Sequence, residues 1–132
     1  MSTLPLSERA RTMLARPNPA VMGCTRGDGQ PVTVATWYLL EDDDRILINL
    51  DGGRRRLEYL RADPRVSLTV LDGANWGTTC SVQGRVVDLE DDPELVGIDR
   101  LSTHYLSIPY PNRDSPRVSG HIQVDAWSSW HL

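Results

Sequence analysis

Three consecutive arginines behind two glycines, Gly52-Gly53-Arg54-Arg55-Arg56, are the part of this sequence best equipped for chemistry. The residues from Arg54 to Ala62 carry Leu57 and Leu60 three apart, contain no β-branched residue and close at Asp63-Pro64, so they read as a short helix. A helix N-terminus offers unpaired amide donors and a positive dipole end, glycines let a ligand approach the backbone, and guanidinium forks grip phosphate in bidentate fashion. Such a segment can build a phosphate site without a Walker motif. Cations at a helix N-terminus are disfavoured by the dipole unless an anion intervenes, which points the same way. The competing reading is a solvated basic patch paired with nearby acids such as Asp51 and Glu58.

The aromatic residues are the second resource. Trp37 and Tyr38 fall in a β-rich run, Trp76 stands at a strand entrance, and Tyr105, Trp127 and Trp130 follow later. They could flank a planar ring, although core packing is the commoner use of such side chains. Tyr38 and Tyr105 are the candidate proton donors. No catalytic residue is otherwise assigned.

Other chemistries lack their signatures. His104, His121 and His131 are scattered, with no HExxH or paired CxxC array, so no metal site is expected. There is no GxSxG elbow for a hydrolase. Gly27-Asp28-Gly29 lacks the third glycine and the following helix of a dinucleotide fingerprint, and reads as a hairpin turn. Asp42, Asp43 and Asp44 lack the ligand alternation of a calcium loop, so Glu41 to Asp44 reads as a solvated acidic turn. All 14 basic residues are Arg, which excludes a lysine Schiff base.

The elements that must position these groups follow from periodicity. Leu6 to Arg16 reads as a helix with Ser7 as its cap, ended by Pro17 and Pro19. Strands are expected at Ala20–Thr25, Pro31–Leu40, Arg45–Leu50, Val66–Leu71 and Trp76–Leu89, the last with a bend or bulge at Gly84. Asp92-Pro93-Glu94 reads as the start of a helix whose stripe runs from Leu95 to Tyr105. Ile108 to Pro116 is a proline-rich loop, and Val118 to about Trp127 is the last strand. Six strands joined as hairpins favour an antiparallel sheet curled into a small barrel with peripheral helices.

Length and charge bound the function. A chain of 132 residues is expected to form one domain, residues 1–132, with no room for a two-domain enzyme. The net charge of -4 opposes any general affinity for nucleic acid or anionic membrane. Cys24 and Cys80 read as buried thiols, and Met1 to Arg16 lacks a signal-peptide core, so a cytoplasmic setting is expected.

The segments Gly29 to Tyr38, Ile46 to Asn49 and Arg54 to Leu68, with the run Leu60-Arg61-Ala62-Asp63-Pro64-Arg65-Val66, resemble the pyridoxamine-phosphate-oxidase-like split-barrel superfamily. Within it they are most similar to the flavin/deazaflavin-dependent oxidoreductases that use coenzyme F420, the B-type branch. The resemblance spans roughly Ala20 to Leu89 and the last strand.

It implies a mainly β fold, a six-stranded antiparallel Greek-key split barrel with peripheral helices. It also implies a homodimer with a cofactor cleft at each side of the interface. Phosphate contacts would fall on Arg54 and Arg56, with Arg55 between them, and the ring would lie along Thr33, Val34, Ala35, Thr36 and Trp37. Asn49, Leu50 and Asp51 would lead into the phosphate site. Trp76 and Gly77 would come from the partner chain, with Tyr105 and Trp130 as further candidates. Arg56 stands where the family often has Lys, and Tyr59 where it has a small polar residue. The ending Ser129-Trp130-His131-Leu132 lacks the longer basic segment of pyridoxine-phosphate oxidases, which argues against that activity.

The function expected is a reductase that takes hydride from reduced F420 and passes it to a small unsaturated substrate. FMN, with the same phosphate and nearly the same ring, is the alternative cofactor. A binding module that holds a flavin or haem without turnover is the alternative of a different class.

Overall fold

The computed structural model describes residues 1–132. Helix α1 (Glu8–Leu14) starts where Ser7 accepts the Ala10 amide at 3.1 Å, and it buries Ala10, Met13 and Leu14. Strands β1 (Ala20–Thr25) and β2 (Pro31–Thr36) form a hairpin around Gly29, whose φ of 89° needs glycine. Then come β3 (Leu39–Leu40), β4 (Ile46–Asp51), α2 (Arg55–Ala62), β5 (Arg65–Asp72), β6 (Asn75–Asp91), α3 (Val96–Leu106) and β7 (Arg117–Trp130). All strand pairs are antiparallel, in the order β2-β1-β5-β6-β7-β4-β3.

The sheet therefore has seven strands, not the six expected. The difference lies in the run Pro31–Leu40, which breaks at Trp37-Tyr38 into β2 and β3. Tyr38 is fully buried and its hydroxyl donates to the Arg16 carbonyl at 2.9 Å, which holds the chain out of ladder register at the break. β2 pairs only with β1 and β3 only with β4, so the two edge strands of the sheet are consecutive in the chain. One broken strand thus joins both edges of a curled sheet, the split-barrel arrangement.

The interior follows strand alternation. Val66, Leu68 and Val70 of β5, Cys80 and Val82 of β6, and Val118, Ile122 and Val124 of β7 point into one cluster with Leu57 and Leu60 of α2. Both cysteines are buried and free, and burial pushes the Cys80 thiol up to about 11. Gly84 sits at a register shift between β6 and β7, as its place in a long strand suggested. No helix is long and apolar enough to cross a membrane.

Two local expectations are corrected. Asp92 does cap α3, accepting the Gly97 and Ile98 amides at 3.2 and 3.1 Å, but the helix begins only at Val96, after Leu95 in a left-handed conformation. Pro93 therefore lies ahead of the first turn. The acidic turn is solvated only at its tip, Asp42 and Asp43. Asp44 is buried, pairs with Arg11 and accepts the Leu6 amide, while Glu41 binds Arg100 of α3 and His121 of β7.

Glu41 thus fastens α3 to the sheet. Arg100 and His121 hold its carboxyl below its ordinary value, so its stabilising effect is complete above that range and is lost as pH falls through the depressed value. Replacing Glu41 by Gln is expected to cost on the order of 1 kcal/mol at pH 7, with the deficit shrinking toward pH 3. Urea melts of both proteins across that interval measure the gap, and a pH-independent deficit would contradict the assignment.

Candidate functional site

The backbone between β4 and α2 is held before any side chain acts. Gly52 donates its amide to the Pro116 carbonyl at 2.8 Å, and Asp51 accepts the Gly53 amide at 2.9 Å. Arg54 occupies the cap position without a capping side chain, and the amides of Arg55 and Arg56 have no partner. The start of α2 therefore presents free donors.

Charge at this place is uncompensated. Arg11, Arg16, Arg26, Arg45, Arg65, Arg85, Arg100 and Arg113 each pair with a side-chain carboxylate; Arg9, Arg61 and the contiguous Arg54, Arg55 and Arg56 pair with none. The expected pairing with nearby acids is not found, and Arg54 and Arg55 are exposed to solvent. Asp51 is engaged with the Gly53 amide, its only arginine neighbour is Arg117 at 3.9 Å, and Glu58 pairs with nothing. Burial, followed by the charges of Arg54 and Arg117, pushes the half-buried Arg56 guanidinium below its usual value. Its charged state lacks an anion.

Two hollows meet at Arg56. One, of about 340 Å³, is lined by Gly53, Arg54, Arg55, Arg56 and Tyr59. The other, of about 630 Å³, runs from Arg56 past Asn49 and Arg117 to Ala35, Thr36 and Trp37, and is bordered by Tyr105, Tyr110, Ile98, Leu101, Pro17 and Pro19. Trp37 stacks on Tyr105 at 5.3 Å and 12° and meets Tyr110 edge-on at 6.1 Å, so the wall is aromatic.

The cleft's polar side is built on β4 and β7. Asn49 donates through Nδ2 to Asp92 at 3.1 Å and Ser119 at 2.9 Å, which leaves Oδ1 to accept from Arg117 Nε at 2.8 Å. Asp92 is fixed in turn by the α3 amides. The Arg117 guanidinium lies 5.1 Å over the Tyr110 ring.

The expected residues separate into groups. Ala35, Thr36, Trp37, Asn49 and Arg56 share the larger cleft, and Arg54 and Arg55 line the smaller hollow that joins it. Asp51 supports the Gly53 turn. Val34 packs against the core and Leu50 is part of it, so neither side chain faces the cleft. Thr33 lines a separate groove of about 530 Å³ with Gly23, Ser67, Gln83 and Asp125. Trp76 and Gly77 lie in the exposed start of β6, away from the cleft of their own chain, with Trp76 74% exposed. Trp127 donates its ring N–H to the Thr3 carbonyl and Trp130 is exposed, and neither lines the cleft.

The tyrosines named as proton donors are committed elsewhere. Tyr38 donates to the Arg16 carbonyl and Tyr105 to the Asn18 carbonyl at 2.7 Å, and burial raises both hydroxyls, Tyr105 to about 12. Neither hydroxyl is free to pass a proton. Tyr110 and Arg117, from the loop Ser107 to Arg117 expected to contact substrate, also line the cleft. Arg117 meets Asn49 across 68 positions of sequence, and only the β4–β7 pairing reveals it.

The pyridoxamine 5'-phosphate oxidase family profile matches residues 6–131. Among solved structures, an F420 reductase is 25% identical over 93% of this chain and 98% of its own, with a TM-score of 0.82. A conserved hypothetical protein of Mycobacterium tuberculosis is 22% identical over 98% and 86%, with a TM-score of 0.76. General Stress Protein 26 of Bacillus anthracis is 16% identical over 93% and 92%, with a TM-score of 0.71. The last two show likeness of fold alone. No curated protein matches the sequence.

Proposed function

Because this chain belongs to the pyridoxamine 5'-phosphate oxidase family, we propose that it is an oxidoreductase that binds a phosphate-bearing deazaflavin, F420, and reduces a small unsaturated substrate. The observation that carries this reading is the run of unpaired arginines and free amides at the start of α2, opening into an aromatic cleft. Those residues fit the group: the donor set suits a phosphate, and Ala35, Thr36 and Trp37 offer a strand end for a planar ring. When bound, the cofactor supplies the hydride. Arg54 and Arg56 hold the phosphate, Asp51 keeps the Gly53 turn in place, and Pro17, Pro19, Ile98 and Leu101 exclude water from the reacting end. The loop Ser107 to Pro116 borders the cleft through Tyr110 and supplies substrate contacts.

The reading includes a homodimer. The cleft is open in a single chain, and the exposed Trp76 and its neighbour Gly77 are the residues a second copy would bring to it. F420 is preferred to FMN on the likeness to the F420 reductase; the family as a whole favours FMN as the second reading.

Titrating the purified protein with F420 and with FMN, while following quenching of tryptophan fluorescence, tests the proposal. F420 is expected to bind at least tenfold more tightly. Tighter binding of FMN, or a protein that is yellow as isolated, would transfer the reading to FMN. No binding of either would remove it, and tight binding with no oxidation of the reduced cofactor by any acceptor would leave a binding module.

A further inference from the structure

Arg117 is a charged side chain only 10% exposed, yet its hydrogen bonding is incomplete. Nε donates to Asn49, and neither terminal nitrogen makes a hydrogen bond within the protein. The nearest carboxylate is Asp51 at 3.9 Å, too far for a hydrogen bond. The side chain is largely buried but its terminal nitrogens still reach solvent in the cleft, so they are donors at which a ligand oxygen can replace water. These donors line the larger cleft, and the Tyr110 ring beneath the guanidinium leaves its in-plane edge as the place where a ligand oxygen can be received.

The two cationic places in the site differ in charge. Arg54, Arg55 and Arg56 have no acid within 4.0 Å and suit a multiply charged phosphate. Arg117 is partly balanced by Asp51, so it suits a single negative charge spread over two oxygens. Its surroundings, Trp37, Tyr105 and Tyr110, suit a conjugated ring system next to that charge.

We propose that Arg117 is the substrate-specificity residue of the cleft and takes the carboxylate of a planar conjugated carboxylic acid. The anion accepts from the terminal nitrogens of Arg117, and the conjugated part lies among Trp37, Tyr105 and Tyr110. Asn49, held by Asp92 and Ser119, is a positioning residue that fixes the fork through Nε. The proposal rests on the reading above, in which the cofactor phosphate occupies the Arg54–Arg56 end and leaves this end to substrate.

The probe is trans-cinnamate, a planar conjugated carboxylate, compared with its neutral amide, cinnamamide, by calorimetric titration of the full chain. Cinnamate is expected to bind at least tenfold more tightly than cinnamamide. Arg117→Gln should weaken cinnamate at least tenfold and leave cinnamamide unchanged, and Arg117→Lys should fall between because an ammonium cannot form the fork. Near-ultraviolet circular dichroism of the tryptophans checks that the variants fold, and the cinnamate-to-cinnamamide comparison needs no variant. Equal binding of acid and amide, or an unaffected Arg117→Gln protein, overturns the proposal.

Two further arms separate it from the cofactor assignment. Cinnamate should bind equally well with F420 or FMN present at saturation; competition would give the carboxylate site to the cofactor and overturn the proposal. Cinnamate should also bind the Arg54→Ala/Arg56→Ala protein, whose cofactor site is disabled, and loss there would overturn it too. If neither cofactor binds the unaltered protein while cinnamate binding still depends on Arg117, the cofactor reading falls and the Arg117 site stands.

Discussion

The Arg54→Ala/Arg56→Ala protein is expected to bind the phosphate-bearing cofactor at least about 100-fold more weakly than the unaltered chain. Hydrogen bonds to charged groups contribute about 1.5–3 kcal/mol each, and two lost together exceed the ~2.7 kcal/mol that corresponds to that factor. The effect is large because nothing inside the protein competes for these guanidinium groups: no carboxylate lies within 4.0 Å of either, and the α2 amides beside them are free. Folding should not suffer. Removing Arg56 relieves a half-buried cation that is repelled by Arg54 and Arg117, so the melting temperature should stay level or rise.

That pairing of weaker binding with unchanged or higher stability distinguishes a ligand site from a structural patch. Fluorescence titration gives the first quantity and thermal denaturation the second. Arg55→Ala is the internal comparison for Arg56→Ala, since Arg56 is half-buried and lines both hollows whereas Arg55 is exposed and lines the smaller one alone. It should lose less, and its loss should fade in salt, as expected for a solvated charge. Retained cofactor affinity in the double variant would leave the start of α2 without a role.

Legibility in the sequence followed locality. The start of α2 was readable because two glycines, three arginines and a leucine spacing of three are contiguous, and local pattern is enough to predict a helix N-terminus with spare charge. The hairpin at Gly29 and the bulge at Gly84 were readable for the same reason. The break in Pro31–Leu40 was not, because Trp37 and Tyr38 have strand propensity and only the Arg16 carbonyl, 22 positions away, gives the Tyr38 hydroxyl a reason to leave the ladder. Val34 and Leu50 show a related limit. A segment can border a site while alternate side chains face the core, and the phase of that alternation is set by pairing partners far along the chain. Arg117 and Asn49 are farther apart still, and the cleft's polar side exists only once β4 and β7 pair.

Gly84→Ala is expected to be the most destabilising glycine-to-alanine substitution in this fold, because Gly84 is buried between two paired strands. A Cβ at Gly84 would lie 2.0 Å from the Gln123 carbonyl oxygen, 2.9 Å from its carbonyl carbon and 3.2 Å from Val124 Cα. Every one of these atoms is backbone, so no side-chain rotation can relieve the overlap. The position sits at the register shift between β6 and β7 and is also paired to Val66 of β5, which means that the strand cannot move away from one neighbour without disturbing the other. Overpacking typically costs about 1–3 kcal/mol, and a clash against fixed backbone belongs at or above the upper end. At roughly 2.1 cal/mol/K per residue, a loss of ~3 kcal/mol lowers the melting temperature by about 10 °C. Gly27 provides the contrast, since nothing lies within 4 Å of its Cβ position, and Gly27→Ala should melt within a degree or two of the unaltered protein. A Gly84→Ala protein that melts with the Gly27→Ala protein would show that the bulge can open, and that the close approach of β6 to β7 is not what fixes the register of the barrel.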